Sequence, residues 1–217
     1  MTASAHAPAR HPPATIGLVF ECGPQGADKQ VCEYLVQQIR PGVTVKSRTM
    51  DDKRNLLRDA GKVAAQLLKD GCCCVMIIWD LRPAWPDKTE RPCRHDERLA
   101  VLARLAEAGV SMAAPVSLVC IEQELESWLL ANERAISAHL STSAHAYLVP
   151  KVKRPDAVIQ PKSALVQHFK RARGWVYDDK VDAVRVLKAG QLDLRRMRQS
   201  ESFARFEAKL LGCQSPA

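Results

Sequence analysis

The chain has 217 residues, with 32 Lys and Arg against 24 Asp and Glu and a formal net charge of +8. This length supports one domain with a sizeable core plus a modest extension, and no apolar run approaches the roughly 18 residues that a membrane-spanning helix needs. The eight cysteines include no CxxC pair, and Cys93 with His95 is half a zinc site whose second half does not follow, so a structural zinc module is excluded.

The first 14 residues, MTASAHAPARHPPA, lack an apolar stretch and are expected to form a disordered leader, not a signal peptide. Buried, reduced thiols in a cytoplasmic protein are then expected. Thr15 to Phe20 (TIGLVF) is a short run of β-formers ended by Glu21. The loop ECGPQGAD follows, then a helix in which Val31, Leu35 and Ile39 recur every four residues. Strand, Gly-rich turn and helix open an α/β unit. Neither a GxGxxG dinucleotide fingerprint nor a Walker loop is present. Asp28 reads as the cap of that first helix.

GVTVKSRTM, from Gly42 to Met50, alternates as a second strand. After Asp51 and Asp52, either of which can cap, Leu56, Leu57, Ala60, Val63, Ala64, Leu67 and Leu68 mark an amphipathic helix. The third strand, CCCVMIIWD, is apolar on both faces until Asp80, as a strand covered by helices on both sides must be. Its three adjacent cysteines alternate faces and cannot share one ion. A long proline-rich loop precedes a helix from about Asp96 to Gly109. VSLVCIEQELESWLL then reads as a fourth strand, Val116 to Ile121, running into a helix from Glu122. The pattern is a mostly parallel α/β sheet with helices on both faces over residues 15–140, with residues 141–217 as a basic helical region packed on it. Helices are expected at Lys162–Arg173, Asp178–Leu187 and Ser202–Leu211, with a shorter piece at Leu192–Met197.

Residues 1–149 hold 17 Lys and Arg against 17 Asp and Glu, whereas residues 150–217 hold 15 against 7. A neutral, acid-decorated front and a basic back suit a phosphate-rich partner, although solvated helix faces give the same totals. Glu21, Asp80 and Glu122 end strands whose C-terminal edges converge on one crevice. Carboxylates gathered there are what Mg²⁺ or Mn²⁺ requires, and such an ion promotes phosphodiester cleavage. On helical spacing, Glu122 and Glu126 share one border of the apolar stripe and Glu124 lies on the other.

LVFECGPQGADKQVCEYL, MIIWD, LVCIEQELESWLLANERAI and the tail segments VYDDKVDAVRVL and SESFARFEAKL resemble a bacterial family known only as domain of unknown function 4276, placed in the Toprim-like group. That resemblance implies a Toprim-like (Rossmann-like) fold with a Glu after the first strand and an Asp-x-Asp after a later one, binding Mg²⁺. Glu21 matches the glutamate and Asp80 the first aspartate, but Arg82 stands at the second, where it would repel the ion. Glu122 or Glu126 is the expected replacement. The implied activity is Mg²⁺-dependent cleavage of DNA or RNA, with an ATPase partner in anti-phage defence. The alternative is a non-catalytic module that binds nucleic acid or the ATPase. Glu21 is the expected general base or metal ligand, and Asp80 with Glu122 or Glu126 the remaining ligands. Lys180 is the expected cation for the transition-state phosphate, with Arg82 and Arg94 as substitutes. Arg82, Arg94, Lys151, Lys153 and Arg154 are the expected nucleic-acid contacts, and Trp85 and Trp175 can stack on bases.

Overall fold

The computed structural model describes residues 13–83 and 91–213. The leader other than Pro13 and Ala14, and Trp85, lie outside the described residues. Strands β1 (Thr15–Phe20), β2 (Thr44–Thr49), β3 (Cys74–Asp80) and β4 (Val116–Ile121) form one four-stranded sheet in the order β2-β1-β3-β4, and every pairing is parallel. Between them run α1 (Ala27–Ile39), α2 (Lys53–Lys69) and α3 (Arg94–Glu107). Then come α4 (Glu126–Leu130), α5 (Glu133–Leu140), α6 (Pro161–Arg173), α7 (Asp179–Ala189), α8 (Leu194–Met197) and α9 (Glu201–Gly212).

The two-residue period of a strand divides the core in two. Ile16, Leu18, Phe20, Cys74, Met76 and Ile78 face one cluster that also holds Val31 and Leu35 of α1, Trp128, Phe169, Val186 and Phe206. Val19, Val75, Ile77, Trp79, Leu118 and Cys120 face the other, against Leu56, Ala60 and Leu67 of α2 and Val101 and Leu105 of α3. The sheet is therefore covered on both faces, as the apolar run of β3 requires. Helices α6, α7 and α9 contribute to the same core as β1 and β3.

Two local details depart from expectation. The helix after β4 begins at Glu126, not Glu122, and residues 122–125 form a turn. Cys74 and Cys213 form a disulfide that ties the start of β3 to the end of α9 across 139 positions. This corrects the expectation of reduced thiols throughout, because a pairing so distant leaves no spacing signal in the sequence. Asp52, not Asp51, caps α2, its Oδ1 accepting from the Asn55 N–H at 2.7 Å. No helix among the described residues is long and apolar enough to cross a membrane.

Candidate functional site

The chain leaves β1 for β2 on one side and reaches β3 on the other, so the C-terminal ends of β1 and β3 flank a topological switch point, where open α/β sheets bind ligands. Glu21 follows β1 directly and Asp80 ends β3. The two meet: the Asp80 N–H donates to Glu21 Oε1 at 3.2 Å. The turn before α4 closes over them, the Leu125 N–H donating to Asp80 Oδ2 at 3.3 Å.

Asp28 is the third acid at this edge. It does not cap α1: the cap position is Gly26, which makes no side-chain cap bond. A Cβ on Gly26 would lie 2.4 Å from Cys22 Sγ, so the loop after Glu21 folds tightly under α1 only because that residue is glycine. Asp28 sits in the first helical turn with its carboxyl buried, where the helix dipole favours an acid. Glu21 Oε2, Asp28 Oδ1 and Asp80 Oδ1 are each buried without a hydrogen-bond partner among the described residues.

Desolvation and mutual repulsion hold these groups toward the neutral form. Burial pushes Glu21 up to about 8, against the pull of Lys53, and Asp28 adds to the rise. Asp28 is pushed up to about 6, again chiefly by burial. Asp80 lies well above the usual carboxylate range through burial, then through Asp28, Glu21, Glu126 and Glu124. Glu126 is only 4% exposed, is raised to about 8 by burial, and accepts from the Tyr177 hydroxyl at 3.3 Å.

The cation facing these acids is Lys162, in the first turn of α6. Its Nζ lies 2.8 Å from Asp179 Oδ1, and its backbone N–H donates to Glu124 Oε2 at 3.2 Å. Burial works against its charge, while Asp179, Glu126 and Glu124 sustain it and hold its pKa above the usual value. A cavity of about 580 Å³ opens beside it, lined among others by Arg82, Gln123, Glu124, Lys162 and Ser163. A second cation, Lys53, is buried under the loop after β3, donating to the Leu81 carbonyl at 2.8 Å and to Glu97 Oε1 at 3.4 Å.

The expected site residues are thus only partly brought together. Glu21 and Asp80 meet, and Glu126 lies near enough for its charge to raise Asp80. Glu122 does not join them: it pairs with Arg94, and with Arg205 of α9 at 2.7 Å. Glu124, expected on the far border, takes its place, because a turn and not a helix carries residues 122–125. Lys180 is exposed and its backbone N–H is tied to Asp178, so the carboxylate-facing lysine is Lys162. Arg82 is exposed at the cavity mouth, and Arg94 at the start of α3 is taken up by Glu122. Lys151, Lys153 and Arg154 are exposed on the segment before α6. Trp175 is half-exposed with the Arg173 guanidinium 5.2 Å above its ring.

The position of Lys162 carries a signal in the sequence. A proline at 161 is a good first helical residue, which puts a lysine in the first turn, where the dipole disfavours a cation unless acids lie opposite. Whether the site suits a divalent ion turns on two observations. The unpartnered buried oxygens of Glu21, Asp28 and Asp80 are hard ligands of the kind Mg²⁺ and Mn²⁺ take. Yet among the described residues no three His, Cys, Asp or Glu side chains stand in an arrangement that could hold an ion as placed. The donor chemistry fits, and the carboxylates would have to draw closer around the ion.

Fold and site together define a parallel α/β protein with a buried acidic crevice at its switch point. The model of the family described as "Domain of unknown function (DUF4276)" matches residues 26–211, and the chain belongs to that family. No curated protein and no solved structure matches the chain.

Proposed function

We propose that the crevice is the centre of a Toprim-like nuclease that hydrolyses phosphodiester bonds in DNA or RNA with Mg²⁺ or Mn²⁺. The observation that carries this reading is the set of three buried, unpartnered carboxylate oxygens, on Glu21, Asp28 and Asp80. Leaving such groups unsatisfied costs roughly 1–3 kcal/mol each, so either protons or a cation should accompany them. Glu21 and Asp80 are the proposed ligands, with Asp28, Glu124 or Glu126 completing the set. A bound divalent ion would supply Lewis-acid stabilisation and a more acidic water. Without an ion, burial holds Glu21 toward its protonated form, and a bound cation would favour its ionised form, in which it could act as ligand or base. Lys162 is placed to offset charge on a phosphate entering from the Arg82 side of the cavity. Cooperation with an ATPase in anti-phage defence belongs to the same proposal and rests on the Toprim-like resemblance alone.

A second reading, a non-catalytic module that binds nucleic acid or the ATPase, is favoured by the lack of an ion-ready trio among the described residues. Arg82 at the position of the second Toprim aspartate favours it too. Plasmid and tRNA cleavage with Mg²⁺ or Mn²⁺ separates the two. Wild type should cleave, and Glu21→Gln or Asp80→Asn should each lower the rate by roughly a hundredfold. An inert wild type, even with the ATPase added, leaves the binding module standing. Equal cleavage by wild type and both variants would move the active site elsewhere.

A further inference from the structure

At the other end of α7 lies a pocket of opposite character. Helix α7 begins beside the acidic crevice, where Asp179 pairs with Lys162. It ends at Gly190, where a Cβ would lie 3.4 Å from Ala135 and Ala138 of α5. Its eleven residues span about 16 Å at 1.5 Å each. Next to this end, a cavity of about 360 Å³ is lined by Arg134, Lys151, Asp193, Arg195, Arg196 and Gln199. A neighbouring cavity of about 510 Å³ shares Arg134 and Asp193, extending the opening along the start of α5.

The lining holds four cations and one acid. Arg196 is engaged internally, with Glu133 and with Asp193 at 3.4 Å. These pairs fix the guanidinium in the wall and neutralise the one lining carboxylate. Arg134, Lys151 and Arg195 are exposed and make no ion pair among the described residues. Three uncommitted cations from three separated segments (the start of α5, the irregular run before α6, and α8) therefore converge on one concavity. Surface cations whose only task is solvation spread apart to reduce repulsion, so convergence in a concave wall is the arrangement that an anion would use. Two arginines suit the forked, multi-oxygen geometry of phosphate better than that of a single carboxylate. The lining is too polar for an apolar ligand, and it has no aromatic ring for a base to stack on.

We propose that this pocket binds a phosphate group, donated by a nucleotide or by a nucleic-acid backbone, through Arg134, Lys151 and Arg195. The assignment is independent of the catalytic reading, because it needs neither a metal nor cleavage. If the source is a nucleic-acid strand, the pocket would hold it beyond the end of α7 opposite the one where Asp179 pairs with Lys162.

The test is calorimetric titration of the full chain, without divalent metal, with three probes: inorganic phosphate, adenosine triphosphate and a short single-stranded oligonucleotide. The tightest probe identifies the source. Arg195→Glu and Lys151→Glu should each weaken that probe about tenfold. Lys62→Glu and Lys69→Glu, exposed on α2 and equal in charge change, should leave it within about twofold. For the oligonucleotide, Arg195→Ala should also reduce the salt slope by about 0.7. Equal weakening by the α2 variants would mean a diffuse field and overturn the site, as would no binding of any probe at low salt. Both results are read without cleavage, so they leave the nuclease reading to its own test.

Discussion

Lys53 shows how much of the crevice depends on one residue that touches no other site acid directly. It is 6% exposed and donates to the carbonyls of Leu81 and Pro83 as well as to Glu97. Glu97 in turn accepts from the Trp79 indole at 2.7 Å. The chain after Asp80 is thereby held by a lysine from the neighbouring helix, and the same charge restrains the rise of Glu21. Lys53→Met should therefore destabilise the fold by about 3 kcal/mol, because it leaves Glu97 without its cation and two carbonyls without a donor. It should also move Glu21 further up and, because it removes a positive charge that repels a divalent ion, strengthen Mn²⁺ binding at a pH high enough that protons no longer compete. Denaturant unfolding and metal titration check the two effects separately. An unchanged stability would mean that water satisfies those groups equally well. At this scale the sequence was legible for Glu21 and Asp80, since strand-end acids announce themselves. Lys53 reads on the helix pattern as an ordinary first-turn lysine, and nothing local marks its burial.

Among the elements, strands were the most legible, because β1, β3 and β4 are short apolar runs buried between the two helical layers. The turn at residues 122–125 was not. Its residues fit the helical period of Leu125, Trp128 and Leu129, so the pattern extended the helix one turn too early. The backbone instead bends there to bring the Leu125 N–H onto Asp80, and the bend carries Glu124 toward the crevice and Glu122 toward Arg205. A tertiary hydrogen bond to a buried carboxylate outcompeted local periodicity. The packing of α2 on α3 has a similar hidden constraint. A Cβ at Gly61 would lie 2.0 Å from the Arg104 carbonyl oxygen, and backbone cannot rotate away as a side chain can. Gly61→Ala gains helix propensity of about 1 kcal/mol but forces the two helices apart. The net expected effect is a loss of roughly 1–3 kcal/mol, read from the urea midpoint. A stabilised variant would show that the helices separate without cost.

The molecule as a whole divides its charge between an acidic crevice at one end of α7 and a basic pocket at the other. The basic excess after residue 149 was visible in the sequence, but its concentration at Arg134, Lys151 and Arg195 was not, because Arg134 comes from the balanced part of the chain. The acidic end sets the pH dependence of stability. Glu21 and Glu126 lie near 8 and Asp28 near 6 in the fold, against about 4 for unfolded carboxyls. Between those values the folded chain holds more protons than the unfolded one, so stability falls as pH rises. Without metal, this contribution is complete below about pH 4 and is lost as pH rises through 6 to 8, the reverse of ordinary acid denaturation. A divalent ion competes with those protons, so its stabilisation should grow over the same window, reaching about 2.7 kcal/mol at a hundredfold excess over its dissociation constant. Thermal unfolding at pH 5.5 and 8.5, with and without Mn²⁺, measures both slopes. The metal-free melting temperature should drop at the higher pH, and Mn²⁺ should restore it there while doing little at the lower pH. Replacing Glu21 by Gln and Asp80 by Asn together should weaken both responses, leaving the part of the pH slope that Glu126 and Asp28 supply. A metal-free protein equally stable at the two pH values, and indifferent to Mn²⁺ at both, would show that these carboxylates neither hold protons nor await a cation.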